Sequence, residues 1–160
     1  LQALFPDTKM EDMNTWEMGK NKATIFLRDL DNHTQAANAD PDKDFKYVYI
    51  LYHQSKDTGK HLTFESEKWK PMVQKAMDEG KTRLKGWGNS IIVSPESTKF
   101  PYSSASYDLY ASLTDALGPG FDEGVIPDGL FADVTGNPSG ARYKNLYRIV
   151  AVVSTPPPTE

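Results

Sequence analysis

A chain of 160 residues, 38% hydrophobic and 25% charged, is long enough to close one hydrophobic core, and it holds no apolar run near the roughly 20 residues of a membrane-spanning helix. It has no cysteine, which excludes disulfides, thiolate metal sites, iron–sulfur clusters and cysteine nucleophiles together. A net charge of −4 argues against nucleic-acid binding through a broad basic surface, although residues 46–100 carry ten Lys/Arg against six Asp/Glu, with five against nine before them and three against seven after.

In chain order, Asp7 or Thr8 can cap a helix that runs to about Met18, with Met10, Met13 and Trp16 at helical spacing and Gly19 as its stop. The start at Leu1 rather than Met, together with the sequon Asn32-His33-Thr34, leans toward a secreted protein. Ala23 to Leu30 reads as a strand and Asp31 to Asp44 as a long polar loop. Asp40, Asp42 and Asp44 have the spacing that opens a calcium loop, but Phe45 stands where Gly is needed and Leu51 where Glu is needed, so a cation site there is a weak alternative to a solvated loop.

The best strand signal is Phe45 to Glu65, predicted to be a β-hairpin turning at Lys56-Asp57-Thr58-Gly59-Lys60. With an odd loop, Val48, Ile50, Tyr52, Leu62 and Phe64 share the core face. Tyr47, Tyr49, Leu51, His53, His61, Thr63 and Glu65 share the other, which brings His53 and His61 within side-chain reach.

Beyond it, a helix is predicted from about Glu67 to Glu79, with Trp69, Val73 and Met77 on one stripe and Pro71 in its first turn. Thr82 to Gly88 and Asn89 to Val93 read as strands around a Gly86-Trp87-Gly88-Asn89 turn, where Trp87 can present its ring to a ligand or fold onto the core. A Ser/Thr/Pro-rich connection, Pro95 to Pro101, precedes a predicted helix over Ala105 to Leu117 that buries Leu109, Leu113, Ala116 and Leu117. Residues 121–140 are irregular, with Val125-Ile126 and Leu130-Phe131 as short strand pieces, and the Asp133 to Gly140 run has the glycines but not the lysine of a phosphate loop. Tyr143 to Ser154 reads as a central strand, and residues 155–160 as a Pro-rich tail. The expected fold is a single α+β domain over residues 1–154, an antiparallel or mixed sheet of about five or six strands with two or three helices packed on it.

H-E-x-x-H, G-x-S-x-G, G-x-G-x-x-G and Walker A sequences are all missing, so no cofactor is expected. What remains for chemistry is His53, His61 and Glu65 with Lys56 and Lys60 beside them. Two imidazoles and a cation are the minimum equipment for cleaving RNA through its own 2′-hydroxyl: one ring removes that proton, the other protonates the leaving oxygen, and Lys steadies the phosphorane. The same histidines completed by Glu65 or His33 offer a zinc set. A binding surface is expected from Trp87, Tyr102, Tyr107, Arg83 and Arg142 together with the 121–140 segment. Two functions follow from the sequence. The first is a small ligand- or protein-binding domain of effector, toxin-like or structural kind; the second is an RNA-directed hydrolase or ribosome-directed toxin.

Overall fold

The computed structural model describes residues 25–94, 102–131 and 143–150, all within one unit from Ile25 to Val150. The predicted helix before Met18, the Pro95 to Pro101 connection, the Asp133 to Gly140 run, Arg142 and the C-terminal tail lie outside the described residues. Five strands form one sheet: β1 (Phe26–Gln35), β2 (Tyr47–His53), β3 (Gly86–Ser94), β4 (Ser104–Tyr110) and β5 (Tyr143–Arg148). Their order is β1-β3-β4-β2-β5 and every pairing is antiparallel. The fold is α+β, as the mix of helical and alternating patterns predicts. No helix among the described residues is long and apolar enough to cross a membrane.

The predicted hairpin does not form. β2 keeps its place, but the second arm is helical: α2 (Thr58–Phe64) passes through a single wide π turn (Glu65–Trp69) into α3 (Lys70–Asp78). Asp57 decides this locally, because its carboxylate accepts the Lys60 backbone N–H at 3.0 Å and so caps a helix where a hairpin turn was expected. His61, Phe64 and Glu65 then fall on one buried side at helical spacing. In the π turn the Lys70 N–H reaches back five residues to the Glu65 carbonyl, which leaves Pro71, with no N–H to give, inside the first turn of α3.

The helices cover the face opposite to the one parity assigned. Cross-strand pairing puts Tyr47, Tyr49, Leu51 and His53 on one face with Tyr110, Asp108, Ser106 and Ser104, and with Trp87, Asn89 and Ile91 of β3. Val73, Met77, Leu84, Trp87, Tyr110 and Ala116 form the core there, with Tyr47 and Tyr49 packed against it. Val48 and Ile50 are only half-buried on the other face, where Tyr52 is buried and its ring meets that of Tyr102.

Four further expectations are corrected. β1 continues through Gln35, and Pro41–Asp44 forms a one-turn helix, α1, so the polar loop is shorter than predicted. The predicted helix from Ala105 is strand β4 followed by a short helix α4 (Leu113–Leu117) capped by Ser112. Ser104, Ser106, Asp108 and Tyr110 alternate with Ala105, Tyr107 and Leu109, and two strand neighbours outweigh the fourfold spacing of the leucines. β5 stands at the edge of the described sheet, paired with β2, rather than at its centre. Residues 125–131 carry no strand.

Candidate metal centre

The last residue of β2 and the second turn of α2 meet where the helix crosses the end of the sheet. The His53 and His61 rings stand 4.7 Å apart between centroids, tilted by 44°. Glu65 follows His61 by four residues, on the same side of the helical segment, at the first position of the π turn. Its Oε1 lies 3.4 Å from His61 Nε2 and 3.8 Å from His53 Nε2. These side chains retain 13%, 10% and 5% exposure for His53, His61 and Glu65, so the cluster is withdrawn from bulk water.

The sheet supports the cluster from below. Asn89 of β3, fully buried, donates from Nδ2 to Glu65 Oε2 at 2.7 Å, which engages one carboxylate oxygen and leaves the other aimed at both imidazoles. Ser106 of β4 places its Oγ 2.7 Å from His53 Nε2. Asn89 and Ser106 are themselves cross-strand partners. Asn89→Ala, which leaves a buried carboxylate oxygen without its donor, is expected to lower stability by about 1–3 kcal/mol in urea denaturation. If Glu65 is first replaced by Gln, that loss should change, because the two residues share one hydrogen bond.

Burial lowers the pKa of His53 to about 4, against a partial upward pull from the Glu65 charge and a further downward push from His61. The ring is therefore unprotonated at neutral pH, the form that binds metals. Two residues along β4 from Ser106, burial raises the carboxyl of Asp108 to about 7; Lys144 opposes that shift and Glu65 adds to it. Lys144 also lies 3.7 Å over the centre of the Tyr49 ring.

His53 Nε2, His61 Nε2 and Glu65 Oε1 are thus three donor atoms turned toward one another, and the ligand atoms of this trio lie within 4.8 Å of each other. Tetrahedral zinc with bonds of about 2.0 Å requires donor–donor separations of roughly 3.3 Å, close to the two Glu65–imidazole distances and within a side-chain adjustment of the third. The donor set, two imidazoles and a carboxylate, suits zinc and the other first-row divalent ions.

The other predicted site residues lie elsewhere. His33 is exposed and 3.6 Å from Asp31, so Glu65, not His33, completes the histidine pair. Lys56 and Lys60 are exposed on the approach to α2 and its first turn. Asp40, Asp42 and Asp44 serve the one-turn helix: Asp40 caps it, accepting the Asp42 N–H and pairing with Lys43, while Asp44 accepts the Asp40 N–H. Trp87 is core, at 1% exposure, and Tyr107 is half-buried on the opposite face of the sheet. Arg83 is exposed beside Asp122 at 3.4 Å, and Tyr102 packs on Tyr52. These residues do not form one surface. A groove lined by Ala36, Met77, Arg83, Leu84, Lys85 and Asp115 lies by the C-terminal end of α3 and takes in none of the three donor residues.

Asn89, Ser106 and Asp108 were not legible as neighbours of the three donors. Their signal is the run of polar side chains at every second position, Ser104, Ser106 and Asp108, on a strand whose helix-covered side would ordinarily be apolar. Searched against known proteins, the chain matches no family model, no curated protein and no solved structure.

Proposed function

We propose that this chain is a small-ligand-binding domain whose ligand is a divalent metal ion of the zinc class, held by His53, His61 and Glu65. The observation that supports it is that three donor atoms largely withdrawn from water lie within 4.8 Å of one another, with Asn89 orienting the carboxylate from behind as a supporting hydrogen bond does in metal sites. Calorimetric titration of zinc into the chelator-treated full chain is expected to give one site. His61→Ala and Glu65→Ala should each weaken binding at least tenfold, and His33→Ala should leave it unchanged. Zinc at a hundred times its Kd should raise stability by about 2.7 kcal/mol. Absent binding, or equal loss in His33→Ala, would sink the proposal.

A second function is supported by the His53 and His61 rings standing 4.7 Å apart, with burial holding the His53 pKa down to about 4. A neutral imidazole can accept the 2′-hydroxyl proton of RNA while its neighbour acts as the acid. Cleavage of RNA in the presence of chelator, lost in His53→Ala, would establish acid–base chemistry that runs without the metal.

A further inference from the structure

Two polar atoms beside the donor triad have no hydrogen-bond partner among the described residues: the Ser104 hydroxyl and the Asn89 carbonyl oxygen. Both residues are fully buried. Ser104 is the direct cross-strand neighbour of His53, and Asn89 is bonded through its other amide atom to Glu65. Buried polar atoms left in this state cost about 1–3 kcal/mol each unless something joins them. The triad, for its part, supplies only three donors to an ion that takes four. Both unpartnered atoms belong to residues joined to the triad, one paired with His53 across strands and one bonded to Glu65. A water or other oxygen ligand completing the metal would stand beside a hydroxyl free to donate to it and a carbonyl oxygen free to accept from it.

We infer that the metal at His53, His61 and Glu65 keeps an exchangeable fourth position, and that this position takes one oxygen of a small carboxylate or phosphate anion in place of water, with the Ser104 hydroxyl donating to that anion. This rests on the metal-binding function proposed above. Three-donor centres with an open position are the kind that exchange ligands, whereas four protein donors close a structural site. Ser106, with its Oγ close to His53 Nε2, borders the same space. Carboxylate and phosphate share the chemistry the position recognises, a negatively charged oxygen that binds a cation and accepts a hydrogen bond.

The test uses the chelator-treated full chain reloaded with cobalt(II), whose visible absorption reports coordination; the absence of cysteine keeps sulfur bands out of that spectrum. Azide, acetate and inorganic phosphate are titrated separately. At least one is expected to change the spectrum saturably, and Ser104→Ala is expected to weaken that anion at least tenfold while cobalt affinity stays the same. Ser104→Thr, which keeps the hydroxyl, should retain anion binding and guards against a variant that fails to fold. Cobalt uptake with a spectrum that none of the three anions moves would overturn the open position and leave the metal site standing. Failure to take up cobalt would overturn both. Anion binding undiminished in a folded Ser104→Ala would overturn the role of Ser104.

Discussion

In the metal-free protein, stability is expected to stay nearly level between pH 7 and pH 4, and Asp108→Asn is expected to turn that level stretch into a slope of about 3 kcal/mol falling toward acid. Two groups with opposite displacements produce this. His53 has a folded pKa of about 4, below the ordinary 6.5. Between those values the unfolded chain binds a proton that the folded chain refuses, so stability is complete above 6.5 and is lost as pH falls toward 4. At about 1.4 kcal/mol per pH unit, the loss is about 3 kcal/mol. Asp108 has a folded pKa of about 7, above the ordinary 3.8. There the folded chain takes the proton first, so stability rises as pH falls from 7 toward 4, by up to about 4 kcal/mol. Each group masks the other. Asp108→Asn removes the acid-side gain and exposes the histidine; His53→Gln removes the acid-side loss, and that variant should become more stable on acidification. Urea denaturation at closely spaced pH values, in chelator, checks both variants, and parallel curves for wild type and Asp108→Asn would refute the pairing.

Gly88→Val is expected to destabilise the fold by about 3 kcal/mol, for reasons of space rather than of backbone conformation. Gly88 pairs with Tyr107 across β3 and β4, and a Cβ placed on it would run into the phenol Oη, Cζ and Cε1 of that tyrosine. The tyrosine ring thus lies flat over the glycine, and burial there, with the Asp29 charge, raises its phenol pKa. Shrinking Tyr107 to Ala should free the space, so that Gly88→Ala costs far less in that background than alone. Chemical denaturation of the two single variants and the double variant measures the coupling; additive losses would show that the ring does not occupy the glycine's space.

The sequence shows the pairing of His53 with His61 more clearly than it shows the reason for it. A hairpin brings the two together across strands; a strand followed by a capped helix does so as well, and Asp57 tips the choice through one side-chain hydrogen bond. That bond was readable in principle, since Asp three residues before Lys60 is a helix-start signal, but the alternation of Leu62 and Phe64 competes with it. Apolar Tyr47, Tyr49 and Leu51 alternate with apolar Val48, Ile50 and Tyr52, so β2 carries no mark of which side the helices will cover. Asn89 and Ser104 were hidden for a different reason. A polar residue in a strand normally signals solvent, and only the assembled sheet shows these two fully buried on its helix-covered face.

The wide turn at Glu65–Trp69 has a consequence for how one helical segment serves two ends of the molecule. His61, Glu65, Trp69, Val73 and Met77 follow one another at intervals of four, and all are buried or half-buried. In an unbroken α-helix each such step drifts about 40° around the axis, so five residues would wind away from the sheet. One turn with a residue to spare takes back part of that drift and keeps the row straight, from the imidazole at one end to the methionine at the other. Deleting Ser66 would restore a regular helix and put Lys70 rather than Trp69 four residues after Glu65, which breaks the row between its two halves. Donor atoms and core would then face different directions. The extra residue acts as a vernier that sets a chemical row and a packing row to the same line.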